Sequence, residues 1–399
     1  MTVETHPRPY PFNELVRLDT NPLYDRLRRD EPVSRVQLPY GGDAWLVTRY
    51  EDTKFVLGDP RFSTAMAVGH DDVPRAMPQI SSQSLVTMDP PEHTRLRKLV
   101  SKAFTGKRIE QLRPQVREIV QERLTELERA GQPADLVTHL ALPMPVTVIG
   151  DMLGVPRQEQ FRFVEFSETI MSTTAHTVEE IAQAHGEFFV YLAELIVHRR
   201  ANPSDDLLTA LIAVRDNEDR LSEEELMGLI LVLLVAGHET TANQIANFTY
   251  LLLSDRDRWE MLRADPGLIP GAIEELLRWV QLTLGGFSPR FAKEDVEVGG
   301  VTVRAGEAVF THTPSANRDE AVFVNGGVLD LTREVNPHIA FGYGMHYCVG
   351  AQLARMELQE ALGAMLQRFP SLRLAVPLEE VTWRSGLLAR GPQALPVSW

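Results

Sequence analysis

The chain has 399 residues, 44% of them apolar and 24% charged, with a formal net charge of −15. That composition is ordinary for a soluble globular protein long enough to enclose a sizeable cofactor, and the acidic balance argues against general nucleic-acid binding. A single cysteine excludes an internal disulfide framework and any multi-cysteine metal site.

The amino terminus, MTVETHPRPYPFNEL, has no basic flank leading into an apolar core, so no signal peptide is expected and the protein is read as cytoplasmic. DAWLVTRY (43–50) reads as a strand. Residues 63–87 follow neither period and read as a long loop, functional or mobile. A basic run holds Arg95, Arg97, Lys98, Lys102, Lys107, Arg108 and Arg113 against the lone acid Glu110. It is either a solvated helix face or a docking patch for an acidic partner. Helical spacing covers 109–130, which ends at Gly131, then 157–173, then 178–200, which ends in a basic turn before Asn202-Pro203.

A long central helix is expected over 221–255, opened by a capping box of Ser222 and Glu225. Leu226 to Ala236 is apolar on every side, which predicts burial all round, yet it is shorter than the roughly 20 residues that span a bilayer. Gly237, His238, Glu239, Thr240 and Thr241 then interrupt it. Buried polar groups are costly unless paired, and threonine hydroxyls can bond back to the preceding turn and bend a helix. The segment is either a satisfied polar layer or a proton-handling site in which Glu239 lies beside the Thr240 hydroxyl, facing a cavity. Residues 296–312 read as β-rich runs around a Gly299-Gly300 hairpin turn. No repeat or low-complexity tract is visible, and the whole reads as mainly α with a smaller β region in one compact unit.

The stretch FGYGMHYCVG (341–350) holds the only cysteine, ahead of a strong helical pattern over 349–369. Backbone N–H groups and the helix dipole favour an anion there, so Cys348 is expected as a thiolate. Gly342, Gly344 and Gly350 permit positive φ and a close approach of backbone to something flat. Three plainer readings compete. Cys348 could be an inert core residue, a catalytic thiol with His346 as base, or part of a dinucleotide loop. The last lacks its third glycine, because Tyr347 stands there.

The pattern F-G-x-G-x-H-x-C-x-G is more specific than any of these, and closely resembles the haem-binding signature of the cytochrome P-450 family. Phe341, Gly342, Gly344, His346, Cys348 and Gly350 fill its fixed positions. Further segments are similar to the same family: AGHETT with Glu239 and Thr240, the E-x-x-R pair Glu275 and Arg278, PPEHTRLRKLV (90–100), RFAKEDVEVGG from Arg290, ANRD (316–319) and NPHIAFG (336–342). The similarity covers essentially the whole chain and looks like the soluble bacterial class, in particular actinobacterial enzymes that oxidise macrolides and other polyketides.

The resemblance implies a cytochrome P-450 fold, a triangular prism forming a single catalytic domain over 1–399, with haem between the central and cysteine-bearing helices. The cofactor implied is heme b (iron protoporphyrin IX), with Cys348 as iron ligand. His93, Arg97, Arg290 and His346 are implied as propionate ligands, and Glu275 and Arg278 as structural. Glu239 and Thr240 are implied as the proton-handling pair for O₂. Substrate contacts are expected from Met66, Phe166, Ile170, Leu234, Val235, Leu282 and Leu388. The implied function is monooxygenation of a hydrophobic small molecule in secondary metabolism, such as antibiotic biosynthesis, by hydroxylation or epoxidation. The alternatives are desaturation, cyclisation or coupling, or a non-catalytic haem protein that binds a ligand. With no flavin or nicotinamide fingerprint, electrons are expected from a ferredoxin and ferredoxin reductase. No nucleic acid, no membrane and a monomer are also expected.

Overall fold

The computed structural model describes residues 7–12, 17–70, 72–78, 84–218, 221–283 and 289–399. Its helices are α1 (Leu23–Asp30), α2 (Tyr50–Gly58), α3 (Glu92–Ser101), α4 (Gly106–Ala130), α5 (Pro143–Leu153), α6 (Arg162–Ile170), α7 (Val178–Ala201), α8 (Leu207–Glu218), α9 (Glu223–Leu253), α10 (Arg256–Ala264), α11 (Ile269–Trp279), α12 (Thr313–Ala316) and α13 (Ala351–Arg368). The strands are β1 (Arg8–Pro9), β2 (Val33–Gln37), β3 (Asp43–Val47), β4 (Phe62–Ser63), β5 (Ala134–Asp135), β6 (Arg290–Ala292), β7 (Val296–Val298), β8 (Val301–Val303), β9 (Ala308–Thr311), β10 (Arg373–Leu374) and β11 (Pro396–Ser398). Contacts divide the chain into two units, Met1–Thr94 with Glu274–Cys348 and Arg95–Ile273 with Val349–Trp399.

The first unit carries a six-stranded sheet in the order β1-β2-β3-β9-β6-β4. Side chains alternate between its faces with the period of two that pleating imposes. Leu46, Phe291 and Phe310 pack with Tyr10, Tyr24 and Leu27 on one side, while Val47, Ala292 and Val309 pack with Phe62, Val296 and Val303 on the other. Burial on both faces allows β3 to carry the unbroken apolar run Ala44–Val47. The expected hairpin exists as β7 and β8, turned by Gly299 and Gly300, both at positive φ. The expectation that it runs on to 312 is corrected: β9 leaves it and pairs with β3 and β6 in the large sheet. Most of 63–87 is irregular apart from a 3₁₀ turn at Ala65–Ala67, and residues 71 and 79–83 of that predicted loop lie outside the described residues.

Beneath α12, the first unit buries a saturated ion pair. Arg278 meets Glu275 bidentately, Nε to Oε2 and Nη2 to Oε1, each at 2.7 Å, with neither side chain exposed. The remaining Arg278 donors go to the carbonyls of Asn317, Gly326 and Val328. Glu275 also accepts from Arg333, Asn336 and the Asp330 amide. Gly326 must be glycine, since a Cβ there would stand 2.4 Å from the Arg318 carbonyl oxygen.

The second unit is organised around α9, which contacts α5, α6, α7, α8, α10 and α13. α7 and α9 both begin with complete capping boxes, Thr177 with Glu180 and Ser222 with Glu225, which fix their first turns. α4 ends at Gly131 with φ +82, the left-handed exit that favours glycine. The predicted helix over 157–173 is α6 preceded by a 3₁₀ turn at Arg157–Glu159.

The helix expected over 221–255 is present as α9, and it runs through the polar segment at 237–241 to Leu253. Gly237 serves packing, because a Cβ there would lie 2.7 Å from Ile149 of α5. Close approach of two helices offsets the roughly 1 kcal/mol that glycine costs in a helix. The expectation that Leu226 to Ala236 is buried all round is corrected. Gly228, Val232, Ala236 and Thr240 are half-buried or exposed, whereas Leu229, Leu233, Leu234 and His238 are buried. These positions repeat every fourth residue and form one accessible stripe. α9 is long and apolar enough to cross a membrane, yet 56% of the qualifying window is buried inside the protein, as in the core helix of a folded unit.

Candidate active site

In the first unit, Cys348 is exposed, although cysteine is among the residue types most often buried. Its amide donates to the Phe341 carbonyl at 2.9 Å, closing the loop on itself. Gly342 and Gly344 both have positive φ, +76° and +72°. Gly344 is required by α2, since a Cβ would stand 2.6 Å from the Leu57 carbonyl oxygen. That glycine therefore seats the loop on protein, a purpose other than approach to a flat ligand. α13 begins at Ala351, with Gly350 as its N-cap, slightly later than the sequence pattern suggests.

Three predicted anion ligands belong to the same unit. The His93 and His346 rings lie 4.4 Å apart, and His346 Nε2 is 3.4 Å from Thr64 Oγ1. Arg290 opens β6 and is buried. Burial pushes its guanidinium down to about 10, with Asp89 partly offsetting that loss. A buried cation under that strain favours an anionic partner. Arg97 is half-buried on α3. Of the expected substrate contacts here, Met66 is 40% exposed and Leu282 half-buried.

In the second unit, Thr240 Oγ1 donates to the Ala236 carbonyl at 2.9 Å, leaving its lone pairs on the accessible stripe. Glu239 points elsewhere and is 2% exposed; its Oε1 accepts from Arg384 Nη1 at 2.8 Å and from Asn243 at 3.2 Å. Its Oε2 lies 3.9 Å from His238 Nε2. His238 donates from Nδ1 to the Leu234 carbonyl, so Nε2 carries the lone pair of a neutral ring. Burial, partly opposed by Glu239, holds the pKa of His238 below the usual histidine range. Arg384 also reaches the half-exposed Glu168 at 3.1 Å.

Leu234 and Val235 are sealed in the core, and Phe166 stacks on Phe188 of α7. The Leu388 amide donates to Met171 O at 2.9 Å, which sets the Leu388 backbone at the end of α6, next in sequence to Ile170. Sequence reasoning missed Arg384, Asn243 and His238 as partners of Glu239, and missed Val232 and Ala236 on the stripe. The four-residue repeat could have revealed the stripe had its polar end at Thr240 been used to set the phase. Nothing local marks Arg384. In the basic run, Arg95 pairs with Glu225, and Arg113 with Glu110 and Glu360. Lys98, Lys102, Lys107 and Arg108 remain exposed with no carboxylate at ion-pair distance among the described residues.

The family model described as Cytochrome P450 matches residues 31–266 and 267–383. The chain belongs to the cytochrome P450 family. It is 55% identical over 396 residues to nocardicin C N-oxygenase of Nocardia uniformis subsp. tsuyamanensis, covering 99% of each chain. It is 49% identical over 393 residues to the mycinamicin IV hydroxylase/epoxidase of Micromonospora griseorubida, covering 98% of this chain and 99% of that one. A crystal structure of HinD with NMFT and NO matches at 47% identity with a TM-score of 0.96, covering 99% of this chain and 100% of that one. The protein is a P450 monooxygenase of mainly α fold with a smaller β region, and its cofactor is haem b.

The residues present fit that cofactor. An exposed thiol on a tightly seated loop suits an iron ligand, and a buried arginine disfavoured by its own burial, with two histidines 4.4 Å apart in the same unit, suits a carboxylate-bearing group.

Proposed function

We propose that this P450 oxygenates a hydrophobic natural product, using Cys348 to hold haem iron and Glu239 with Thr240 to manage protons. His93, Arg97, Arg290 and His346 hold the propionates. The two units act as one catalytic domain, in a monomeric cytoplasmic enzyme. Bound haem supplies the oxygen chemistry, in which O₂, two electrons and two protons place one oxygen atom on substrate and release the other as water.

The observation that carries the reading is the division of labour between adjacent residues on α9. Thr240 lies on the accessible stripe with its proton already committed to Ala236 O, so its oxygen accepts a hydrogen bond and orients an incoming proton donor. Glu239 is buried and connected through Arg384 to the half-exposed Glu168, so it exchanges protons toward the surface. The apolar character of the accessible side chains, Val232 and Ala236 among them, supports a hydrophobic substrate. One relative acts on mycinamicin IV and another is an N-oxygenase of nocardicin C. The mycinamicin enzyme supports a macrolide- or polyketide-type substrate, and the nocardicin enzyme widens the attacked atom from carbon to nitrogen.

Electrons arrive from a ferredoxin and its reductase. The exposed cations Lys98, Lys102, Lys107 and Arg108 suit an acidic ferredoxin. Holoenzyme supplied with a surrogate ferredoxin, its reductase and a macrolide panel should yield products heavier by one oxygen atom, at a reduction rate that falls steeply with salt. Products lacking added oxygen would overturn the oxygenation assignment, and salt-independent reduction the docking assignment.

A further inference from the structure

Three successive amides converge on one carbonyl in the second unit. The N–H groups of Thr173, Thr174 and Ala175 donate to Gly386 O at 2.7, 3.0 and 3.1 Å, the concave run of amides that ordinarily holds an anion. Ser172 Oγ lies 3.5 Å from the same oxygen, and the Leu388 amide donates back to Met171 O. Gly386 has φ +69, and a Cβ there would stand 2.7 Å from Ala175 N, so only glycine fits without displacement. Residues 171–177 join α6 to α7. That connection is therefore fastened to the segment 384–388 chiefly by backbone, with Ser172 Oγ adding one longer side-chain contact.

Two residues before Gly386, Arg384 sits between carboxylates of unequal burial. Nη1 meets Glu239, 2% exposed, and Nη2 meets Glu168 of α6, 48% exposed. Burial by itself disfavours the charge on Arg384, and Glu239 and Glu168 more than offset it. The other groups around Glu239 are neutral: Asn243 at 3.2 Å and His238 at 3.9 Å. Arg384 is thus the one cation within ion-pair distance of Glu239 among the described residues.

We propose that Arg384 is a positioning residue for Glu239, and that the segment 384–388 ties its position to the docking of the α6–α7 connection. With the connection seated, Arg384 holds Glu239 Oε1. When the connection lifts, Gly386 and Glu168 draw Arg384 outward with α6. A buried carboxylate left without its cation is costly, so release favours proton uptake by Glu239 from solvent, and reseating favours delivery. The proposal rests on the assignment of Glu239 as the proton-relaying acid.

The test compares Glu239→Gln, Arg384→Gln, Arg384→Lys, the Glu239→Gln/Arg384→Gln double variant, Glu168→Gln and Gly386→Ala as holoenzymes. The readouts are product formed per reductant consumed and amide hydrogen exchange across 172–176. Arg384→Gln should lower product per reductant by about tenfold, Arg384→Lys should recover part of it, and the double variant should be no worse than Glu239→Gln alone. Gly386→Ala should speed exchange at 173–175 by about tenfold and lower product per reductant, with every acid and base still present. Glu168→Gln, an exposed change, should lower it in the same direction but less. Compounding losses in the double variant would overturn the action of Arg384 through Glu239. Unchanged exchange in Gly386→Ala, or faster exchange with full coupling, would overturn the mechanical link. If Glu239→Gln alone keeps full coupling, the relay assignment falls and the role of Arg384 with it, while the exchange result still judges the backbone clamp.

Discussion

Glu275 with Arg278 and Glu239 with Arg384 are both buried glutamate–arginine pairs, but they are finished differently. The first is bidentate, unexposed, and surrounded by three carbonyls, a second arginine, an asparagine and an amide that take up the remaining donors and acceptors. The second is a single Nη1–Oε1 contact in which Arg384 keeps 17% of its side chain exposed and divides itself between two acids. Every change at a saturated pair leaves something buried and uncompensated, which suits it to holding chain in place. An unsaturated pair has a second arrangement within reach at small cost, which suits it to moving a proton. The difference distinguishes the two pairs more clearly than burial does, since all four residues except Arg384 are almost wholly buried.

The comparison breaks most visibly at the saturated end. Arg278→Ala leaves Glu275 charged and the carbonyls of Asn317, Gly326 and Val328 without their donor, and should destabilise by about 3–5 kcal/mol. Denaturant unfolding, or failure to recover folded protein, would register it. At the unsaturated end, Glu239→Gln should fold with a loss under about 2 kcal/mol yet form product per reductant about tenfold less well or worse. A variant that lost stability and coupling together would blur the distinction. Thr240→Ala removes one hydroxyl bonded to its own helix, so stability should move by less than about 1 kcal/mol while reductant is consumed without matching product. Coupling equal to that of the unaltered enzyme would remove Thr240 from the site.

A smaller effect tests whether saturation also governs histidine. His312 is fully buried, stacks on Tyr24 at 3.7 Å, and accepts the Ser315 amide at Nδ1 as the N-cap of α12. Burial, reinforced by Arg318 and Arg28, pushes its pKa down to about 3. The unfolded chain binds that proton first as pH falls, so this contribution is present above about pH 6.5 and is lost between about 6.5 and 3, by roughly 1.4 kcal/mol per unit inside that window. His312→Asn keeps a capping side chain and should flatten the slope, as urea unfolding across that range would reveal.

The sequence made different things legible for different physical reasons. Local chemistry was readable: the capping box of α9, the Gly299-Gly300 turn and the spacing around Cys348 are all written within a few adjacent residues. The phase of α9 was not, because an unbroken apolar run has no polar face to show which stripe is accessible. The packing role of Gly237 was not legible because the side chain it admits, Ile149 on α5, is distant in sequence. Arg384 went unnoticed for the same reason, lying 145 residues from the acid it holds. β9 was assigned to the wrong partner because strand pairing is decided by the sheet, here β3 and β6, and not by the nearest turn.

The most direct test of the account asks whether Cys348 holds the haem iron as a thiolate. Reduced, haem-loaded protein exposed to carbon monoxide should show the red-shifted Soret band of a thiolate-ligated haem, and Cys348→Ala should lose that band while remaining folded. A reduced, folded, haem-loaded enzyme without the band, or a Cys348→Ala variant that kept it, would contradict the account at its centre.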